Sequence, residues 1–365
     1  MISDPQISLP RVAVIFREEQ HRRGIEKALG SNYKLSMFDD VSAASDAMAA
    51  SPPNVALLDS SMGRSIEIER LLLASSVTPI VFISKKDVGP GDLLSHAGKT
   101  NRFLDWPLST HDLTETINEL INEKAEKSWE KLPEVQHKPL KLTIQAYQAI
   151  SSAIESGAPV SFNEAAESCM PLVDAVKQSA HHDLLVSVQS HHNYTYVHSM
   201  RVATLLTLFG HGIGITGTDL LTVSTGGLLH DVGKMVTPPE ILNKPGKLSD
   251  EEWPLMQEHV VESGTILHAG NDVKKGAYII AEQHHEKIDG TGYPLGLKGS
   301  QLNELARMSA ICDIFGALTD ERSYKPAFSV EKSFGILESM DKAIDQKMLA
   351  MFKEIFIFTS PGSTA

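Results

Sequence analysis

The pattern of apolar and polar positions changes character once along the chain. Between residues 11 and 125, short apolar runs alternate with longer helical patterns. Val12-Ala13-Val14-Ile15-Phe16 is too brief for a helix and has strand composition. Asn54-Val55-Ala56-Leu57-Leu58-Asp59 and Pro79-Ile80-Val81-Phe82-Ile83-Ser84 are two further buried-strand candidates, each entered through a proline turn. Helices are expected over 18–29, ended by Gly30, and over 42–50, 65–75 and 110–127. Strands alternating with helices of this length predict an α/β doubly wound, parallel sheet of about 115 residues. From Lys127 to Pro139 the periodicity weakens, with two prolines and mixed charge, and a linker is expected there. Beyond it the strand signal ends. Helical periodicity runs through 140–156, 162–179, 194–210, 218–230, 249–268, 273–285, 302–319 and 330–342, so the second domain, 140–358, is expected to be all-α. Residues 1–126 are the first domain, and the tail 359–365 is expected to be disordered.

Composition narrows the class. The chain has 365 residues, 42 % hydrophobic and 22 % charged, which is ordinary for a globular protein. Its 33 basic and 46 acidic side chains give a net charge of −13, so no long-range positive field draws a nucleic-acid polymer or an anionic membrane. An anionic substrate must then be held by local cations or a metal. Cys169 and Cys312 are too few for a disulfide framework. No secretory signal opens the sequence, and no apolar run reaches the roughly 18 residues of a membrane helix, so a cytoplasmic protein is expected.

Histidine then changes the picture, because 12 of the 15 lie between His137 and His285. His230-Asp231 ends an apolar helical stretch, placing a nitrogen and a carboxylate within reach of one cation. His198, His259, the pair His284-His285 and Asp313 follow helical spacing around it. The separations are 32, 29, 25 and 28 residues, each about one helical hairpin. Antiparallel helices can project such groups inward at one depth. Five His and two Asp without Cys favour iron or manganese over a structural zinc, and more than four ligands suggest two divalent ions.

At this point the residues resemble the HD phosphohydrolase superfamily, through His230-Asp231-Val232-Gly233-Lys234 with His198, His259 and Asp313. His284-His285-Glu286-Lys287-Ile288-Asp289-Gly290-Thr291-Gly292-Tyr293-Pro294 is similar to the HHExxDGxGYP signature of its HD-GYP branch. The resemblance spans about residues 190–355. It implies a metal-dependent phosphodiesterase that opens cyclic di-GMP to linear pGpG, and in some members continues to GMP. It implies Asp231 as a bridging ligand, with His198, His230 and Asp313 around one ion and His259, His284 and His285 around the other, though that allocation stays open. Asp231 and Lys234 are the implied catalytic residues. Lys234, Tyr293, Arg322 and Lys325 are the implied substrate contacts, and Glu286 is expected to orient a ligand His. Some members carry Glu four residues before the first ligand His. Here Tyr194 stands there, so two ions rather than three are expected.

The remaining histidines are read blandly: His181, His182, His191 and His192 as solvent-facing or capping, His211 and His268 as helix-end residues. Cys312 is read as a small buried side chain.

The first domain resembles a response-regulator receiver. Asp59 ends the third strand and Ser84 the fourth, but Trp106-Pro107 replaces Lys-Pro. The acid pair expected near Phe16 and Arg17 is missing, so phosphoryl transfer to Asp59 lacks its cation. A degenerate receiver is expected, used for protein partners, dimerisation or sensing; a homodimer is compatible with that reading. Two other functions stay open: a weakly active cyclic di-GMP-binding effector, and a hydrolase of another phosphate ester.

Overall fold

A computed structural model describes residues 9–30, 32–62, 71, 78–85, 101–244, 246–270, 272–320 and 327–359. The helix expected over 65–75 and the tail expected over 359–365 therefore lie largely, and Arg322 and Lys325 wholly, outside the described residues. The chain divides into two compact units, Met1–Ala125 and Glu126–Ala365.

The first unit is a five-stranded parallel sheet: β1 (Arg11–Ile15), β2 (Lys34–Phe38), β3 (Val55–Asp59), β4 (Ile80–Lys85) and β5 (Arg102–Trp106). Its order is β2-β1-β3-β4-β5, the doubly wound order that receivers share with flavodoxins. Alternation along each strand feeds two cores. Val12, Val14, Leu57, Val81 and Ile83 point to one face, covered by helices Glu19–Leu29 and Thr110–Trp129. Ala13, Ile15, Ala56, Leu58 and Phe82 point to the other, with Val41, Ala44 and Met48 from helix Val41–Ala50. β2 and β5 were not among the expected strands. They are the edges, half-exposed and carrying Lys34, Ser36, Arg102 and Asp105, so neither reads as an apolar run.

The second unit is helical and built around the helix Tyr194–Gly212, in which every residue from Tyr196 to Gly210 is buried. A helix buried on every side must be surrounded by other elements, and its buried polar groups must find partners there, as Arg201 does on the Leu185 carbonyl at 2.9 Å. It packs against helices Phe162–Lys177, Gly217–Leu229, Glu304–Thr319 and Gln346–Phe358. The expected linker is shorter than 127–139. Helix Thr110–Trp129 ends on the buried Trp129, whose indole donates to the Ser187 carbonyl at 3.2 Å, and the next helix already starts at Glu134. Pro139 lies inside that helix with its ring buried, so core packing overrides its breaking tendency. Helices His181–Ser187 and Gln346–Phe358 were also not among those expected. Among the described residues no helix is long and apolar enough to cross a membrane.

Candidate metal centre

The helical unit brings together all seven predicted ligands. His198 comes from helix Tyr194–Gly212, whose N-cap Asn193 accepts from the Tyr196 amide. His230 and Asp231 follow helix Gly217–Leu229, and His259 lies on helix Glu252–Ala269. His284 and His285 follow helix Lys275–Gln283, and Asp313 lies on helix Glu304–Thr319. Two triads have their ligand atoms within 4.8 Å of one another: His198, His230 and Asp313, and His259, His284 and His285.

Asp231 stands between them. Its Oδ2 lies 3.2 Å from His230 Nε2 and 3.6 Å from His198 Nε2. Its Oδ1 lies 3.2 Å from His259 Nε2 and 3.6 Å from His284 Nε2. One oxygen thus faces each triad. Asp313 is split likewise, with Oδ1 at 2.8 Å from His198 Nε2 and Oδ2 at 3.6 Å from His285 Nδ1. Lys234 Nζ donates to Asp231 Oδ2.

The back sides of the rings explain which nitrogen is presented. His230, His259 and His284 each place Nδ1 on the carbonyl three residues earlier, that of Gly227 at 2.8 Å, Met256 at 2.5 Å and Ala281 at 2.9 Å. A carbonyl only accepts, so Nδ1 carries the proton and Nε2 turns a lone pair toward the centre. These Nε2 atoms and Asp231 Oδ1 are buried with no hydrogen-bond partner. Four orphaned buried polar atoms converging on one volume are expensive unless a cation fills it, so the residues fit a divalent metal.

Electrostatics agree. Burial lowers the pKa of His284 and of His285, for the latter well below the usual imidazole value, which keeps both neutral as ligands must be. Burial opposes the charge on Asp231 and Asp313, but the polar groups that face them outweigh it. His230 and Lys234 hold Asp231 well below the ordinary carboxylate range, and His198 does the same for Asp313.

The turn Val232–Val236 is fastened to the His259 helix. The Gly233 amide donates to Ser263 Oγ at 2.9 Å, and a Cβ on Gly233 would stand 2.0 Å from the His259 carbonyl oxygen. Only glycine permits that approach.

Glu286 departs from expectation. Its buried carboxylate accepts from the amides of Leu295 at 2.6 Å and Leu297 at 2.9 Å, so it pins the Gly-Tyr-Pro loop instead of orienting a ligand His. Pinning brings Tyr293 over the centre, where its ring stacks on His285 at 4.7 Å. Tyr194 stacks on His198 at 6.1 Å. Of the histidines read as solvent-facing or capping, His181 and His191 are buried; His191 accepts from the amide of the N-cap residue Asn193 and faces Glu126 at 3.2 Å. Cys312 is buried as expected. Sequence reasoning missed the carbonyls behind the ligand rings and the neighbouring Trp253, which meets Tyr293 edge to face.

In the first unit, Asp59 Oδ1 accepts from the Ser61 amide at 2.9 Å and its hydroxyl at 2.7 Å. Beyond β1, Phe16 is buried and the Arg22 guanidinium donates to the carbonyls of Phe16 and Arg17, so a cation occupies the neighbourhood in which a receiver gathers its acids.

The sequence model of the HD domain family (HD_5) matches residues 183–348. A Pseudomonas aeruginosa protein named cyclic di-GMP phosphodiesterase PA4108 is 35 % identical over 168 residues, 46 % of this chain and 41 % of that protein. A Vibrio cholerae serotype O1 protein named 3′3′-cGAMP-specific phosphodiesterase 3 is 36 % identical over 190 residues, 52 % of this chain and 41 % of that one. The chain thus spans about two-fifths of the length of these curated relatives. The solved structure of Bd1817, a HDG"Y"P protein from Bdellovibrio bacteriovorus, is 18 % identical with a TM-score of 0.49, over 67 % of this chain and 79 % of that one. A doubly wound α/β unit precedes the helical one, and over residues 183–348 the helical unit is similar to the HD domain family.

Proposed function

We propose that this chain is a metal-dependent phosphodiesterase that hydrolyses a cyclic dinucleotide, cyclic di-GMP foremost, to its linear form pGpG. The observation that carries this reading is the Asp231 carboxylate, with one oxygen toward each of two triads of buried ligands. The names of the relatives supply the substrate class: cyclic di-GMP for one, 3′3′-cGAMP for another. Two divalent cations bound there, iron first and manganese as alternative, supply a nucleophile from water at neutral pH and offset charge on the phosphate.

The chain's own residues do the rest. Asp231 is the bridging ligand, with His198, His230 and Asp313 on one side and His259, His284 and His285 on the other. The three back-side carbonyls hold the imidazoles in the ligating tautomer, so binding requires no rearrangement of those protons. Lys234, its side chain 18 % exposed, keeps an ammonium at the mouth of the centre for the phosphate. Tyr293 forms a wall over His285, and Arg322 and Lys325 are assigned to further phosphate contacts. Tyr194 offers no carboxylate beside His198, which favours two ions and linear pGpG as the end product. The reading places the enzyme in the cytoplasm, with the degenerate receiver as its site for protein partners.

The test pairs metal content with a chromatographic assay for cyclic di-GMP cleavage in the presence of iron or manganese. About two ions per chain and a linear product are expected of the wild type, and Asp231→Ala should lose metal and cleavage together. Full metal content in Asp231→Ala would remove Asp231 from the bridging position.

A further inference from the structure

The helix Glu252–Ala269 delivers His259 to the centre, and its first turn carries a side chain the metal chemistry leaves unused. Trp253 is 48 % exposed and follows the polar segment Ser249-Asp250-Glu251-Glu252. An isolated surface hydrophobic needs no explanation, but this one is not isolated. Its ring meets Tyr293 edge to face, with centroids 6.4 Å apart and planes at 81°. Tyr293 in turn lies along His285, centroids 4.7 Å apart and planes at 29°. Three rings thus run from a metal ligand outward to solvent. Tyr293 is itself held by the pinned loop, through Glu286 on the amides of Leu295 and Leu297.

We infer that Trp253, together with Tyr293, is the wall on which one purine base of the substrate stacks, and that Trp253 supplies affinity for the base. The inference rests on the cyclic-dinucleotide reading above. In a nucleotide, one ribose separates the base from its phosphate, so a stacking partner must stand beside the metal ligands and not among them. Trp253 stands two ring contacts from His285. An indole face accepts any base and holds a purine through its large π surface. It therefore binds guanine and adenine alike, and discrimination between the two does not come from this residue.

The experiment uses the full chain loaded with manganese and whichever of cyclic di-GMP and 3′3′-cGAMP it turns over faster. Trp253→Ala should raise KM about tenfold and leave kcat within about twofold, while Trp253→Phe stays within about threefold of the wild-type KM. Manganese content should be unchanged in both. Nucleotide binding should quench tryptophan fluorescence in the wild type and not in Trp253→Ala, whose two remaining tryptophans are Trp129, buried in the core, and Trp106, at the end of β5 in the α/β unit. An unchanged KM in Trp253→Ala, or a quench that survives the substitution, overturns the stacking role and leaves the phosphodiesterase reading standing. A wild type that turns over neither dinucleotide overturns that reading itself.

Discussion

His192 and His284 both lose water on folding, yet only His284 lies in the candidate metal centre. For His192 burial, aided by the neighbouring His191, lowers the pKa to about 4 from an unfolded value of 6.5. Above 6.5 the ring is neutral in both states and pH does not matter. Between 6.5 and about 4 the unfolded chain takes up a proton that the folded chain refuses, so stability falls as pH falls through that window. By about pH 5 the loss from this one residue is on the order of 2 kcal/mol. Urea unfolding of wild type and His192→Asn at about pH 7.5 and pH 5 checks it: the wild type should lose more, by about that amount. Equal losses would show that His192 is protonated in the folded protein. The same pair of residues shows how far sequence reaches. His191-His192 and His284-His285 are identical dipeptides, and only the Glu-x-x-Asp-Gly-x-Gly-Tyr-Pro that follows the second marks it as a candidate ligand pair. That His191 would be buried against Trp129 and Glu126 depends on a tertiary contact 65 residues away in sequence, which no local pattern carries.

Among the elements, the turn Val232–Val236 and the helix Glu252–Ala269 set the centre's geometry, because between them they fix His230, Asp231 and His259. Their contact is closed by Gly233, where a Cβ would also lie 2.6 Å from the Ser263 amide nitrogen. Both clashing atoms belong to the backbone of a helix, so neither can swing aside. Gly233→Ala should force the turn off the helix, lowering stability by about 2–3 kcal/mol and reducing bound metal. Gly335, in the middle of helix Val330–Ser339, is the internal control: nothing lies within 4 Å of its added Cβ. Gly335→Ala should stabilise by about 0.5–1 kcal/mol through reduced backbone entropy in the unfolded chain. Melting temperatures and metal content of the two variants decide it, and a Gly233→Ala protein with wild-type values of both would show the contact to be loose. Elements were legible where one periodicity dominated: the three central strands and the eight expected helices of the second domain. They were lost where burial was partial, as in β2 and β5, or where aromatic and apolar runs blur the period, as in Met351-Phe352-Lys353-Glu354-Ile355-Phe356-Ile357-Phe358. The predicted linker failed for a related reason: proline and mixed charge mark an exposed surface as readily as a chain break, and Trp129 is the residue that ties the segment into the core.

At the scale of the molecule, the two units carry separate cores, and only one contains the ligands. Residues such as Val14, Leu57 and Ile83 close the sheet's cores, whereas Phe209, Phe315 and Phe352 close that of the helical unit. A metal that binds the folded helical unit stabilises that unit alone by mass action, by about 2.7 kcal/mol when free metal stands at a hundred times its dissociation constant. For a unit of this size, that corresponds to a rise of roughly 5–10 °C in its melting temperature. The α/β unit offers no comparable cluster among the described residues, so its transition serves as an internal reference. Calorimetry of the full chain in EDTA and in manganese should therefore show one transition moving and one standing still. Asp231→Ala should abolish the movement, since each triad then loses the oxygen that faces it. The stabilisation has a local origin: the protein as a whole carries −13 and repels the anion that the centre would bind. On the proposed reading positive charge is supplied locally, by the metals with Lys234, Arg322 and Lys325, so manganese should promote phosphate-ester binding and thermal stability over the same concentration range. Two transitions shifting together, or neither shifting, would show that the orphaned nitrogens around Asp231 do not hold metal in the folded chain.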